Sequence, residues 1–222
     1  MKIIQPRLRP SYTKAQSLYA CIDEDNYVEG MEFDGITISN EEYTALHLDG
    51  CVFRNVFFED CEFDAIDMID TVFENCELSN LHFNKGAIHR CVFRNCRCMG
   101  IDFSDCVIHN TLFTNLKAAY ANLSGSRFRQ VIFENSNFSN ASFIQCEYQK
   151  TVYDSCDLKE SEFHNTNLKG MDLSSSDIEG ISLTMDHIRG VIVNEQQALR
   201  LVQLLGMCST MAITPSFFNG LG

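Results

Sequence analysis

The chain has 222 residues, room for one substantial domain or two small ones, and carries a net charge of −13. That charge argues against direct nucleic-acid binding, which needs a cationic surface to displace counterions, and leaves room for a basic partner. No apolar run is long enough to span a bilayer. The basic start Met1-Lys2-Ile3-Ile4-Gln5-Pro6-Arg7 lacks an apolar core segment, so a cytoplasmic protein without membrane contact is expected.

Residues 1–30 carry no usable motif and are expected to cap the region after them. Over residues 31–193 one phase in five is almost purely apolar, from Phe33, Ile38, Tyr43, Leu48, Phe53 and Phe58 to Ile188 and Val193. Two residues before each large side chain stands a small or medium one, such as Cys51, Val56, Cys61 or Ala121. The position just before it is mostly polar, and two residues after it Gly, Asn and Asp dominate. A five-residue period fits neither helix nor ordinary strand. It fits a short bridge with two inward side chains and a turn at each end, where Gly, Asn and Asp tolerate left-handed backbone. Pro6, Pro10 and Pro215 all lie outside the repeat, as expected where every N–H is needed between coils.

A second period of twenty gives four sides per turn, here A to D. Side A carries Phe33, Phe53, Phe73, Phe93, Phe113, Phe133 and Tyr153; side C carries Tyr43, Phe63, Phe83, Phe103, Leu123 and Phe143. Side B (Ile38, Phe58, Leu78, Cys98) and side D (Leu48, Met68, Ile88, Ile108) are mainly aliphatic. Phenylalanine stacks on opposite sides with aliphatic sides between fill a square core. At ~4.8 Å per coil, eight turns make a rod about 40 Å long.

After the repeat, Asn194 as N-cap, Glu195 in the first turn and Gly206 as a stop predict a helix. Ala198, Leu201, Val202 and Leu205 form one apolar stripe, widened by Leu199 and Leu204. This is more than an end cap requires, and a dimer interface over residues 194–222 is expected.

Ala121-Asn122-Leu123-Ser124-Gly125 and Cys156-Asp157-Leu158-Lys159-Glu160 resemble the pentapeptide-repeat family. That resemblance implies an all-β fold, a right-handed quadrilateral parallel β-helix of about eight coils with a short C-terminal α-helix. Arg189-Gly190-Val191, with the Gln-rich helix start and Leu204-Leu205-Gly206, is similar to the C-terminus of the Qnr quinolone-resistance group and its relatives. The likeness implies a homodimer of rods joined end to end. It also implies binding to bacterial type II topoisomerases, DNA gyrase and topoisomerase IV, as a DNA mimic that protects them from quinolones. A generic scaffold with another protein partner is the alternative.

The charge lies on the repeat and is uneven. Residues 31–77 hold thirteen acids and one base, 78–145 three acids and seven bases, and 146–193 nine acids and four bases. Candidate partner-binding acids are Glu59, Asp60, Glu62 and Asp64 near one end, and Asp154, Asp157, Glu160, Glu162 and Asp172 near the other. A basic belt of Lys85, Arg90, Arg94 and Arg97 departs from a uniform mimic. Short loops are expected, if anywhere, around 41–48, where Glu41 takes an inward position, and 116–119, where the inward residues are small.

The eleven cysteines are odd in number and mostly occupy inward positions. They read as small buried residues rather than zinc ligands or disulfides, although Cys76 and Cys96 fall on adjacent coils. No phosphate loop, nucleophile elbow or metalloprotease helix occurs, so neither catalysis nor a cofactor is expected.

Overall fold

A computed structural model describes residues 1–204. The chain winds into a parallel β-solenoid of about nine turns closed by one helix, α1 (Glu195–Leu204). The twenty-residue register is literal: Phe53 pairs with Phe73 and Phe73 with Phe93 on side A, while Met68 pairs with Ile88 on side D. Sides A and D are ladders of short strands, which join around their shared corner in the strands Arg127–Glu134 and Glu147–Asp154. Above the first coils, sides B and C hold single bridges such as Glu77↔Arg97 and His82↔Asp102, and one short strand pair, Glu162–Phe163 with Ser182–Leu183, on side C near the far end.

The corners explain the choice of turn residues. Every fifth residue from Gly30 to Gly170 has a left-handed backbone. Asn, Asp and Gly fill most of these positions, yet Lys85, Arg90, Tyr120 and Glu160 hold the same conformation. There the inter-coil ladder outweighs the roughly 1 kcal/mol or more that a side chain costs in this region. The series passes through Ala45 and Tyr120 without a break, so neither 41–48 nor 116–119 forms a loop. Glu41 is accommodated because it accepts a hydrogen bond from the Tyr43 hydroxyl, and Leu116 and Ala118 are buried in the core.

On side A the rings stack almost face to face, 4.7 Å apart at 4° for Phe53 and Phe73 and 4.9 Å at 3° for Phe73 and Phe93. Phe113 and Phe133 continue the stack. Side C rings meet these edge-on across the core, as Phe103 does Phe93 at 5.6 Å and 82°. Phe63, Phe83 and Phe103 stack less regularly among themselves. Both geometries are favourable for aromatic pairs.

The small inward residues do more than fill space. The thiols of Cys61, Cys76, Cys96 and Cys106 donate to the carbonyls of Ile38, Phe53, Phe73 and Phe83. The hydroxyls of Thr71, Ser126 and Thr166 make the same bond to Leu48, Phe103 and Phe143. Cys, Ser and Thr are therefore interchangeable at this position as small side chains that carry their own donor. Burial pushes the Cys91, Cys106 and Cys146 thiols up to about 12.

Both ends of the rod are closed. Thr13–Ala15 pairs with Met31–Phe33 and Tyr27–Glu29 with His47–Asp49, adding a turn below the repeat. From there residues 4–12 run back along the corner between sides D and A. The Arg7 N–H donates to Asp70 and the Ile4 N–H to Asn110, while Arg9 pairs with Glu29. At the far end Asn194 and Gln197 form a reciprocal capping box, each side chain accepting the other's N–H. The Gln197 amide then donates to the Leu173 and Ser176 carbonyls at 3.0 and 2.6 Å, covering the open edge of the last coil.

Candidate functional site

The repeat turns the three outward positions of each side into three straight ladders, so acids at one repeat phase rise one above another. Side C and its corner with side B collect most of them. Glu59 and Asp60 lie at that corner, with Glu62 and Asp64 beside them on side C. Five coils higher, Glu160 stands in the column of Asp60, and Glu162 in that of Glu62. At ~4.8 Å per coil the two groups lie about 24 Å apart. Asp154 and Asp172 fall instead on side A, and Asp157 on side B. The nine candidate acids thus do not share one face.

Their bonding separates them further. The carboxylates of Asp157 and Asp172 accept the N–H groups of Lys159 and Ser174, closing a turn two residues on. Asn122, Asn137 and Asn167 make the same bond with their side-chain oxygens. An acid at this position therefore serves the turn as an asparagine would. The hydroxyl and N–H of Ser174 hold the Asp172 carboxyl below the usual range. Asp64 accepts from Asn84 and lies 3.4 Å from Lys85, and Asp154 accepts from the Ser155 hydroxyl. Glu59, Asp60, Glu62, Glu160 and Glu162 are exposed and bond to no side chain or N–H among the described residues. These five carboxylates form the bare acidic edge of the rod.

The basic belt dissolves into local pairs. Lys85 faces Asp64, Arg94 lies 3.3 Å from Glu74, and Arg90 holds Asp70 through two bonds of 2.7 and 2.6 Å. Each cation meets an acid of the coil below. Arg97 makes no ion pair among the described residues. Three of the four belt cations are thus paired locally, and the sequence count overstates the positive field of the belt.

At the helix, Leu201 packs against the coil's own core, and Ala198 and Val202 are half-buried. Leu199 is 43 % exposed, an apolar residue that faces outward. Leu205 lies outside the described residues. Among the described residues no helix is long and apolar enough to cross a membrane. No group of three or more His, Cys, Asp and Glu side chains gathers there as a metal centre would.

A model of the pentapeptide repeat region matches residues 66–139, and a model of eight pentapeptide repeats matches 136–174. No curated protein matches the sequence. Among solved structures, full-length QnrB1, described as a plasmid-mediated fluoroquinolone resistance protein, is 21 % identical over 88 % of this chain and 95 % of its own, with a TM-score of 0.47. A trypsin-treated QnrB1 variant is 20 % identical over 90 % and 95 %, with a TM-score of 0.44. HetL, involved in heterocyst differentiation regulation in the cyanobacterium Nostoc sp. strain PCC 7120, is 12 % identical over 75 % and 91 %, with a TM-score of 0.32.

Proposed function

We infer that this chain, which belongs to the pentapeptide-repeat proteins, acts by being bound, and that its partner is a bacterial type II topoisomerase, DNA gyrase or topoisomerase IV, which it protects from quinolones. The observation that carries this reading is the bare acidic edge, with Glu59, Asp60 and Glu62 at one end and Glu160 and Glu162 five coils away in the same columns. Duplex DNA is a narrow rod with one charge per ~1.7 Å of axis, and its enzymes present a cationic groove to it. A rigid edge carrying outward carboxylates offers that groove the same sign of charge on a similar shape. The parallel ladder fixes the spacing of the two groups before binding, so little ordering cost remains.

The Qnr-like residues Arg189-Gly190-Val191 and the helix after them supply the partner class. In such an assembly two rods join end to end through α1, with Leu199 at the contact, and the edge doubles in length. Supercoiling by purified gyrase in the presence of ciprofloxacin tests the reading. The native chain is expected to restore supercoiling. Lysine at Glu59, Asp60, Glu62, Glu160 and Glu162 is expected to abolish the rescue, whereas Glu147→Lys on side D leaves it intact. A native chain that neither rescues nor inhibits at micromolar concentration would sink the proposal.

A further inference from the structure

Side A breaks the rule that the position before each large residue is polar. Its outward ladder reads Val52, Val72, Val92, Leu112, Ile132 and Val152, one above another in paired register. Strand propensity does not account for it, because the equivalent ladder of side D reads His47, Asp67, Ala87, Val107, Arg127 and Glu147.

The lower half of this stripe is occupied. Val52, Val72 and Val92 are 1, 9 and 3 % exposed although they point away from the coil's core, and Tyr12 packs on them. Gln5, Pro6 and Leu8 line the same recess. An extended segment, apolar and cationic, thus lies along the ladder with its N–H groups on Asp70 and Asn110. The upper half, Leu112, Ile132 and Val152, is continuous with the lower but only half-buried. Its charges differ in the same sense. Below, Glu32 and Glu74 are paired with Arg54 and Arg94. Above, Glu134 and Asp154 on the same strands meet no cation among the described residues.

We propose that the upper half of side A is a second protein-binding surface, which takes an extended partner segment of alternating apolar and basic residues as the lower half takes residues 4–12. The segment lies on Leu112, Ile132 and Val152 and places its cations against Glu134 and Asp154. This surface adjoins the corner opposite the acidic edge, so both can be engaged at once, and the proposal stands whichever partner the edge has.

A fluorescein-labelled peptide of residues 1–14 supplies a ligand of the required chemistry. Its anisotropy is expected to saturate on titration with the full chain. Ile132→Lys is expected to weaken binding by about tenfold or more. Glu134→Gln with Asp154→Asn, which leaves the apolar ladder untouched, is expected to weaken it several-fold and in a salt-dependent way, and so serves if Ile132→Lys does not fold. Absence of saturable binding overturns the proposal. So does binding that appears only after residues 1–11 are deleted, or that neither set of substitutions changes, since the peptide then occupies the lower half alone.

Discussion

Asp60 and Asp70 stand two repeats apart on the same backbone, both at a corner and both left-handed, with φ of 50° and 53°. Asp60 is exposed and without a partner among the described residues. Asp70 is 6 % exposed, bonded twice by Arg90 from the coil above and once by the Arg7 N–H from the segment that covers it. The repeat itself does not choose between these fates. It delivers every corner residue to the surface, and the neighbour twenty residues away, together with whatever crosses the corner, decides whether the charge is structural or available.

The sharpest break in this comparison is removal of the cation. Arg90→Met leaves Asp70 buried and uncompensated and is expected to cost about 3 kcal/mol, read as a lower denaturant midpoint by circular dichroism. Asp70→Asn on top of it should recover a good part of the loss, because the stranded charge is what costs most. If Arg90→Met is as stable as the native chain, the pair does not hold the corner.

The same pair makes the covering segment acid-sensitive. Burial alone would raise the Asp70 carboxyl, but the Arg90 guanidinium and the Arg7 N–H outweigh it and hold the value below the usual carboxylate range. The stabilisation is therefore complete above about pH 4 and is lost as pH falls through the depressed value. Amide exchange at Arg7, taken relative to the intrinsic rate of an unprotected amide at the same pH, is expected to accelerate on acidification below that point, while exchange in the Phe73 ladder stays slow. Equal acceleration in both would mean that the whole rod opens rather than the segment.

Much of this was legible in the chain and some was not, for physical reasons. The twenty-residue columns predict the stacks from Phe53 to Phe133 because inward packing obeys the period. Residues 4–12 obey no period, since their conformation is set by the ladder they lie on. The valines at 52, 72 and 92, apolar in a polar phase, were the available signal. Asp157 and Glu160 look alike in sequence, yet one closes a turn and the other does not. Pairing one coil down was hidden in the same way: Arg90 and Asp70 are distant until the register places them together. The helix read as an apolar stripe, whereas Gln197, a polar residue, contributes two bonds that cover the last coil.

That cap is the intermediate case between a paired and a bare group. Gln197→Ala removes the reciprocal bond to Asn194 and exposes two carbonyls, and is expected to cost about 1 kcal/mol. Exchange protection should fall in the last two coils and not in the first ones, since a solenoid transmits stability mainly between neighbours.

The smallest expected effect on stability carries the most information about the acidic edge. Asp60→Asn and Asp157→Asn each remove one charge without changing shape, and both are expected to leave the denaturant midpoint within about 0.5 kcal/mol of the native chain. Asparagine keeps the turn bond that Asp157 makes to the Lys159 N–H, and Asp60 makes none. Any difference between them in gyrase rescue is therefore electrostatic. If the bare edge is the docking surface, Asp60→Asn weakens rescue and Asp157→Asn, whose charge sits on a turn of side B, weakens it less. Equal losses would mean that the partner responds to total charge rather than to one edge.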